Sequence, residues 1–360
     1  MNTVFDLSKI FNSKPFGMAQ KEKGSLFLER FHYLTGIHYS QCLAYRKILD
    51  ALQFDMSRSH LLEEYAFLPA RLFKEYDLRS VDSLRIIKNM TSSGTTSQIP
   101  SRIPLDAVTA SNQIKALTYI VSDFIGPKRL SMLIIDHDTS RTDRNQFSAR
   151  EAGIRGFSIF GRDITYALDG DMAPKYQTIV DFAERHAEET VLIFGFTSVV
   201  WQNFLKKLEV QGLSGMFAKA ILIHGGGWKK LIEQAVSNEE FLQKTTAVLG
   251  TTRVHNYYGM VEQAGSIFME CEQHYFHCSN LSEILIRDEK LITCPFGQSG
   301  LIEVCSLLPE SYPGHAILTE DVGEIMGEDD CWCGRSGKYF KVHGRLEMSE
   351  TRGCSDAQSS

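Results

Sequence analysis

Three short apolar runs in the middle of the chain predict buried strands. They are Leu130–Ile135, Thr190–Phe194 and Lys219–His224. Apolar residues at helical spacing follow the second run over Val199–Leu208 and the third over Trp228–Val236. This alternation of strands and helices predicts an α/β fold with a parallel sheet.

The two ends of the chain show different patterns. Residues 22–55 carry apolar side chains at intervals of three and four, which predict helix. After about residue 280 the apolar runs are short and separated by Gly, Pro and Asp, which predicts a small antiparallel β module with strands at Glu283–Ile286, Leu301–Val304 and Lys338–Val342. We expect a folded core over residues 1–345 and a mobile tail over residues 346–360.

Composition narrows the class of protein. The chain has 360 residues, of which 43% are hydrophobic, enough for a core divided between subdomains. The formal net charge is −6 with both signs mixed along the chain, so we expect no nucleic-acid partner. The N-terminus lacks an export signal and no apolar stretch is long enough to span a bilayer, so we expect a cytoplasmic protein. Its eight cysteines are then expected to be free, catalytic or metal-bound.

A run rich in serine and threonine between Met90 and Pro100 is the strongest local signal. Small residues let backbone N–H groups converge on an anion, and hydroxyls add donors. A polar surface loop is the alternative. The Gly-Lys-Ser/Thr ending of P-loop NTPases is absent. The candidate phosphate contacts are Thr91, Ser92, Ser93, Gly94, Thr95 and Thr96.

Four residues have the composition of a structural zinc site. They are Cys271, His277, Cys331 and Cys333, which supply three thiolates and one imidazole for a tetrahedral ion. Four unrelated residues are the alternative, and His274 and Cys278 are alternative ligands. We expect the other thiols, Cys42, Cys294 and Cys305, to lie in the core.

The run after Met90 resembles the phosphate-binding signature of the adenylate-forming superfamily, and further motifs follow in that superfamily's order. Gly225-Gly226-Gly227 resembles a glycine pair that lets the backbone approach adenine. Asn256–Glu262 resembles a Tyr-Gly-x-Thr-Glu motif. The resemblance implies that Tyr258 and Gly259 contact the nucleotide and that Glu262 holds Mg²⁺.

Two later motifs resemble the superfamily's ribose-binding residues. Thr319–Gly323 is similar to Thr-Gly-Asp-x-Gly, which implies that Asp321 binds the ribose hydroxyls, and Gly344-Arg345 implies the same for the Arg345 guanidinium. The chain departs from the pattern twice. Ser101 stands where a lysine is usual, although Arg102 follows, and Val261 replaces a threonine.

The closer resemblance is to the acyl-protein synthetases of bacterial bioluminescence operons. It rests on the Thr-Ser-Ser-Gly-Thr loop, on Gly-Gly-Gly-Trp-Lys at 225–229, on Val261-Glu262 and on Thr351-Arg352-Gly353-Cys354, and it fades between about 136 and 185. It implies an adenylate-forming core of two α/β subdomains with a small β-barrel module, without the C-terminal lid domain that carries a catalytic lysine. Charge on the α-phosphate would then be offset by Mg²⁺, Arg102, Lys229 or Arg345.

The resemblance implies ATP-dependent activation of a carboxylic acid, in particular a fatty acid. The acyl group would pass from the adenylate to Cys354 and then to a partner reductase or another acceptor protein. Phenylacetate-CoA ligases share the Cys-His-Cys-x-Cys set, so an acyl- or aryl-CoA ligase is one alternative. A non-catalytic nucleotide-binding scaffold is another, because Val261 and Ser101 depart from the catalytic pattern.

Overall fold

The structure is a computed structural model that describes residues 5–92, 100–138, 149–228, 233–263 and 265–346. Six candidate site residues lie outside these ranges: Ser93, Gly94, Thr95, Thr96, Lys229 and Cys354. The chain divides into two compact units. Among the described residues, the central unit is Ile125–Tyr258, and the outer unit combines those up to Phe124 with those from Gly259 to Leu346. Within the described ranges, no helix is both long enough and apolar enough to cross a membrane.

The central unit is built on a parallel sheet, as the sequence predicts. Its strands lie in the order β8-β7-β6-β4-β5 and are β4 (Leu130–Ile135), β5 (Gly161–Tyr166), β6 (Val191–Phe196), β7 (Ile221–Gly225) and β8 (Val254–Tyr258). The helices are α6 (Ala149–Ser158), α7 (Tyr176–Arg185), α8 (Thr197–Val199), α9 (Lys206–Val210) and α10 (Asn238–Leu249). The predicted runs at β4, β6 and β7 are buried, because both faces of a parallel sheet are covered by helices.

The two helices predicted after these strands have different outcomes. The predicted helix Val199–Leu208 is helical throughout, and it includes a π-helical stretch, Val200–Leu205, between α8 and α9. A π-helical turn holds more residues than an α-helical turn, and such turns are frequent at functional sites. For the predicted helix Trp228–Val236, residues 229–232 lie outside the described ranges, and the described remainder forms no α-helix.

The outer unit contains the predicted antiparallel β module. Its sheet has the order β11-β12-β13-β14-β10-β9, and the short strand β1 (Leu68–Pro69) pairs in parallel with β13. These strands are β9 (Phe268–Glu270), β10 (Phe276–His277), β11 (Ser282–Arg287), β12 (Gly300–Ser306), β13 (Ala316–Glu328) and β14 (Lys338–Arg345). A separate hairpin joins β2 (Ile86–Thr91) to β3 (Arg102–Asp106). The helices are α1 (Ser8–Phe11), α2 (Gln20–Gln41), α3 (Leu43–Ala51), α4 (Leu72–Glu75) and α5 (Ala107–Ile125).

The helical region predicted over residues 22–55 is two helices, α2 and α3, divided at Cys42. The backbone of Cys42 is extended (φ −111°, ψ 103°) and its side chain is buried. Helix α2 also buries charge, which an apolar pattern does not predict. Arg30 donates to Glu310 at 2.5 Å, and Lys23 lies 3.4 Å from the Glu283 carboxylate. These pairs keep the buried charges compensated, so α2 packs tightly against the β module despite its polar residues.

Candidate functional site

The two ends of the predicted phosphate loop are held together by the β2–β3 hairpin. Thr91 and Arg102 are paired across the strands, and the Ser101 N–H donates to Ser92 Oγ at 2.9 Å. The Ser101 hydroxyl, which is fully buried, donates to Glu262 Oε1 at 2.6 Å. The residues on either side of the loop are therefore fixed against the carboxylate that the resemblance assigns to Mg²⁺.

Glu262 lies on a 3₁₀ turn, Val261–Gln263, and is buried. Its carbonyl accepts a hydrogen bond from the Tyr312 hydroxyl at 2.8 Å. Next in the chain, Gln263 Nε2 donates to the carbonyls of Val304 and Gly314, at 2.7 and 2.8 Å. These bonds fix both the backbone and the direction of the turn, so the Glu262 carboxylate has a defined position.

The charges around Glu262 determine its chemistry. Burial raises the pKa of the Glu262 carboxyl, whereas the Ser101 hydrogen bond and the positive charges of Lys74 and Arg345 lower it. A desolvated carboxylate is stabilised by a nearby cation, so this residue fits the role of a Mg²⁺ ligand. The sequence did not indicate Lys74 or Ser101 as neighbours of Glu262, since Ser101 lies 161 positions from it.

The two predicted ribose-binding residues are cross-strand partners. Asp321 on β13 is directly opposite Arg345 on β14, and the Arg345 Nε lies 3.2 Å from Asp321 Oδ1. The Thr319 hydroxyl accepts from the Asp321 N–H at 3.1 Å, which orients the backbone there. Both side chains retain partial exposure, so they remain accessible to a ligand. Arg102, by contrast, begins β3 with an exposed side chain, and its predicted role stays a prediction.

The predicted glycine motif lies at the end of β7 in the central unit. A Cβ atom on Gly225 would overlap the ring of Tyr257, and Gly226 has a φ of +78° that side chains disfavour. Gly227 faces open space among the described residues, so its backbone is accessible. The glycines thus permit close approach of Tyr257, while their predicted contact with adenine stays a prediction, as does that of Tyr258 at the end of β8.

An aromatic cluster lies beside these glycines. Phe157 on α6 stacks on Phe194 of β6 with ring centroids 4.4 Å apart, and it lies 4.9 Å from the ring of Tyr257. Phe196 contacts Phe194 edge to face at 6.0 Å. This cluster is largely apolar, and its members are buried or partly buried.

The structure brings together the four predicted zinc ligands. Cys271 follows β9, His277 lies on β10, and Cys331 and Cys333 lie in the turn between β13 and β14. Their ligand atoms all lie within 4.8 Å of one another. The Cys271 and Cys331 sulfurs are 3.9 Å apart, and Cys333 Sγ is 3.4 Å from His277 Nε2. A tetrahedral zinc ion places its ligand atoms roughly 3.4–3.8 Å apart, so the donor set and its geometry fit.

The surroundings of the cluster favour the thiolate form at Cys333, whereas the hydrogen bond with Cys333 raises the pKa of the Cys271 thiol and burial raises that of the Cys331 thiol. The Gln273 N–H donates to Cys271 Sγ at 3.3 Å. A hydrogen bond from the Cys271 thiol holds the pKa of Cys333 well below its usual range, and His277 acts in the same direction. The alternative ligand Cys278 is instead a buried thiol whose pKa is raised by desolvation and then by the charge of Glu283. His274 lies at a turn with φ +61°, where its Nδ1 is 3.9 Å from Glu270.

All seven cysteines of the described ranges are free thiols. The three that were predicted to lie in the core, Cys42, Cys294 and Cys305, are buried, as the sequence indicates. The described cysteines therefore form no disulfide framework, and the chemistry of the cluster is that of reduced thiols.

The chain is similar to known proteins in both sequence and structure. A profile of the family described as "Acyl-protein synthetase, LuxE" matches residues 3–360. The long-chain-fatty-acid–luciferin-component ligase of Vibrio harveyi is 26% identical over 142 residues, which are 38% of this chain. The match spans 36% of that relative's length.

Solved structures of 2-hydroxyisobutyryl-CoA ligase share the fold. The open conformation in complex with 2-HIB-AMP and CoA has a TM-score of 0.72 and 14% identity, covering 93% of this chain and 77% of the ligase. The thioesterification state gives 0.71 and 15%, covering 94% and 71%. The comparisons confirm the predicted fold class and the predicted family resemblance. With its profile match over nearly every residue, the chain belongs to the LuxE family of acyl-protein synthetases.

Proposed function

We propose that this protein activates a carboxylic acid with ATP, forming an acyl-adenylate and pyrophosphate. The observation that carries the proposal is the 2.6 Å hydrogen bond from Ser101 to Glu262. It joins the end of the predicted phosphate loop to the glutamate of a second predicted nucleotide motif, so two motifs that are distant in the sequence meet at one place. The cross-strand pair of Asp321 and Arg345 adds a third motif in the same unit.

In the proposed reaction, a carboxylate oxygen of the substrate attacks the α-phosphorus of ATP. A bond forms between them, and the bond from the α-phosphorus to the bridging oxygen breaks, so pyrophosphate leaves with that electron pair. Bound Mg²⁺ would neutralise phosphate charge, and Glu262 would hold it. Asp321 accepts hydrogen bonds from the ribose hydroxyls, and Arg345 orients Asp321. Positioning and charge compensation supply the rate enhancement.

We propose a fatty acid as the substrate and a protein thiol as the acyl acceptor. Family membership supports the acceptor, and the name of the Vibrio harveyi relative supports the acid. The second half-reaction would pass the acyl group to Cys354 and then to a partner reductase. The acyl-CoA ligase is a second candidate, because the similar 2-hydroxyisobutyryl-CoA ligase structure contains CoA.

The first prediction tests adenylation itself. Purified protein with Mg²⁺ and a series of saturated fatty acids is expected to catalyse exchange of labelled pyrophosphate into ATP, because formation of the adenylate is reversible. Aryl acids are the comparison series, and omission of acid is the control. Exchange with neither series would contradict the proposed activity and favour the nucleotide-binding scaffold.

The second prediction concerns Cys354, which lies outside the described residues. Incubation with ATP, Mg²⁺ and labelled acid is expected to leave a label on the protein that neutral hydroxylamine releases, because a thiolate is the most capable nucleophile among side chains near neutral pH. Cys354→Ser is expected to lose the label and keep pyrophosphate exchange. Arg352, two positions earlier in the sequence, would favour the thiolate form if its guanidinium lies beside the thiol.

The matched control for Cys354→Ser is Cys294→Ser, which removes a thiol elsewhere and should keep the label. Labelling of Cys354→Ser at the wild-type level would assign the acyl group to another residue. An active wild type that takes up no label would favour direct transfer to CoA or to a partner.

We also propose that Cys271, His277, Cys331 and Cys333 bind one structural zinc ion. The proximity of their donor atoms supports this assignment. The ion would join the β9–β10 hairpin to the β13–β14 hairpin, the two strands of which carry Asp321 and Arg345. Zinc would therefore act on nucleotide binding through the register of β13 and β14.

A further inference from the structure

Helix α4 is fixed next to the predicted ribose motif by strand pairing. The strand β1 immediately before it pairs in parallel with Ile317 and Leu318 of β13. The Ala70 N–H then donates to the Leu318 carbonyl at 3.0 Å, two residues before α4 begins. Since Asp321 follows Leu318 by three positions in the same strand, α4 starts close to the residues that we assign to the ribose.

The buried face of α4 packs against the elements that carry the other nucleotide motifs. Phe73 is buried and contacts the Tyr312 ring edge to face at 6.0 Å. The Tyr312 hydroxyl is the group that donates to the Glu262 carbonyl. The apolar cluster around Phe73 also contains side chains of β3 and of the segment before Glu262: Ile103, Leu105, Met260 and Val261. Helix α4 therefore lies next to three elements of the outer unit: the hairpin that flanks the phosphate loop, the turn that carries Glu262, and the strand that carries Asp321.

Lys74 follows Phe73 on this helix and is partly buried. Its charge acts on the Glu262 carboxyl in the direction opposite to burial, as does that of Arg345. Arg345 is already paired with Asp321 at 3.2 Å. A bound triphosphate would add about four negative charges to a place that already holds two carboxylates, so the site needs cations. An ammonium suits this role because it is a compact charge on a long flexible stem.

We propose that Lys74 is a further catalytic residue that contacts the phosphate groups of bound ATP. The proposal rests on the proposed adenylation. When the carboxylate attacks the α-phosphorus and the bond to the bridging oxygen breaks, negative charge shifts towards the pyrophosphate oxygens. Lys74 donates hydrogen bonds to these oxygens and keeps its protons throughout, so no other reactant is required. The related motif has a lysine at the position of Ser101, and this chain lacks that positive charge. The ammonium of Lys74 would supply a positive charge to the phosphates in its place.

The test compares Lys74→Met, which keeps the stem and removes the charge, with Lys74→Arg and with Arg71→Met. Arg71 is the matched control because it is an exposed cation beside α4 whose partner is Glu75. Two quantities are measured for each protein: the kcat and KM of ATP–pyrophosphate exchange, and the Kd of Mg²⁺-ATP by calorimetry. Melting temperature reports on folding, and Lys74→Gln replaces Lys74→Met if the latter does not fold.

Lys74→Met is expected to lose about 100-fold in exchange kcat, to bind Mg²⁺-ATP more weakly and to melt like the wild type. Lys74→Arg should recover part of the rate, and Arg71→Met should retain all of it. Wild-type exchange with less than a threefold loss in Lys74→Met overturns the role of Lys74 and leaves adenylation intact. If the wild type binds ATP without exchange, weaker binding by Lys74→Met supports the contact while the proposed adenylation fails. A wild type that neither binds ATP nor exchanges overturns both.

Discussion

Glu262→Gln is expected to lower the rate of ATP–pyrophosphate exchange by about 10²–10³-fold. The change keeps the size of the side chain and its hydrogen bond with Ser101, but it removes the negative charge that would hold Mg²⁺. Because burial raises the pKa of the Glu262 carboxyl, the wild-type carboxylate depends on nearby cations to stay charged. Glutamine is neutral and needs no nearby cation when it is buried, so the variant is expected to fold.

Two variants place this result in context. Asp321→Ala should mainly raise the KM for ATP, since its charge-assisted bonds to the ribose act in the ground state as well as the transition state. Glu328→Gln, an exposed position at the end of the same strand β13, is the control and should exchange at the wild-type rate. Full exchange activity in both Glu262→Gln and Asp321→Ala would refute the assignment of the nucleotide site.

Removal of zinc is expected to have the largest effect on stability. Elemental analysis of protein purified without chelators should find about one zinc per chain, and a chelator should lower the free energy of unfolding. The loss would be about 4 kcal/mol where free zinc exceeds its Kd a thousand-fold. Cys331→Ser should abolish zinc binding and cause a similar loss, because the remaining ligands can no longer complete a tetrahedral site.

Cys294→Ser is the matched control for zinc, since this thiol is buried outside the cluster and its change should leave the metal content unaltered. Protein that contains no zinc, together with an unchanged melting temperature in Cys331→Ser, would contradict the proposed site. Zinc bound without any gain in stability would contradict the proposed structural role of the ion.

Local patterns in the sequence determine the elements that depend on short-range forces. The apolar runs at Leu130–Ile135, Thr190–Phe194 and Lys219–His224 predict β4, β6 and β7 within one or two residues, because strands buried on both faces need continuous apolar side chains. The break between α2 and α3 was missed. Cys42 is compatible with a helix locally, and its extended backbone is selected by burial against neighbouring elements.

The strand β13 contains a motif whose local sequence is typical of a turn. Thr319, Glu320 and Asp321 form a polar run that is compatible with a turn, yet they lie inside a strand from Ala316 to Glu328. Leu318 and Val322 on either side of this run pair with β12 across an irregularity opposite Ile302, and Asp321 pairs with Arg345 on β14. Pairing of the flanking residues therefore keeps a polar run, which a local pattern assigns to a loop, inside the sheet.

The sequence by itself determined the family resemblance, the α/β class and the kinds of residue at the candidate site. Only the tertiary structure decided which of them meet. The Ser101 hydroxyl and the Glu262 carboxylate lie 161 positions apart, and Cys271 and Cys331 lie 60 positions apart. Helix α4, which carries Lys74, lies near Glu262 because β1 pairs with β13 and because Phe73 packs on Tyr312, whose hydroxyl donates to the Glu262 carbonyl. Contacts between residues so far apart in the sequence depend on strand register and core packing. These are cooperative properties of the whole fold, and no periodic pattern of residues in the sequence indicates them.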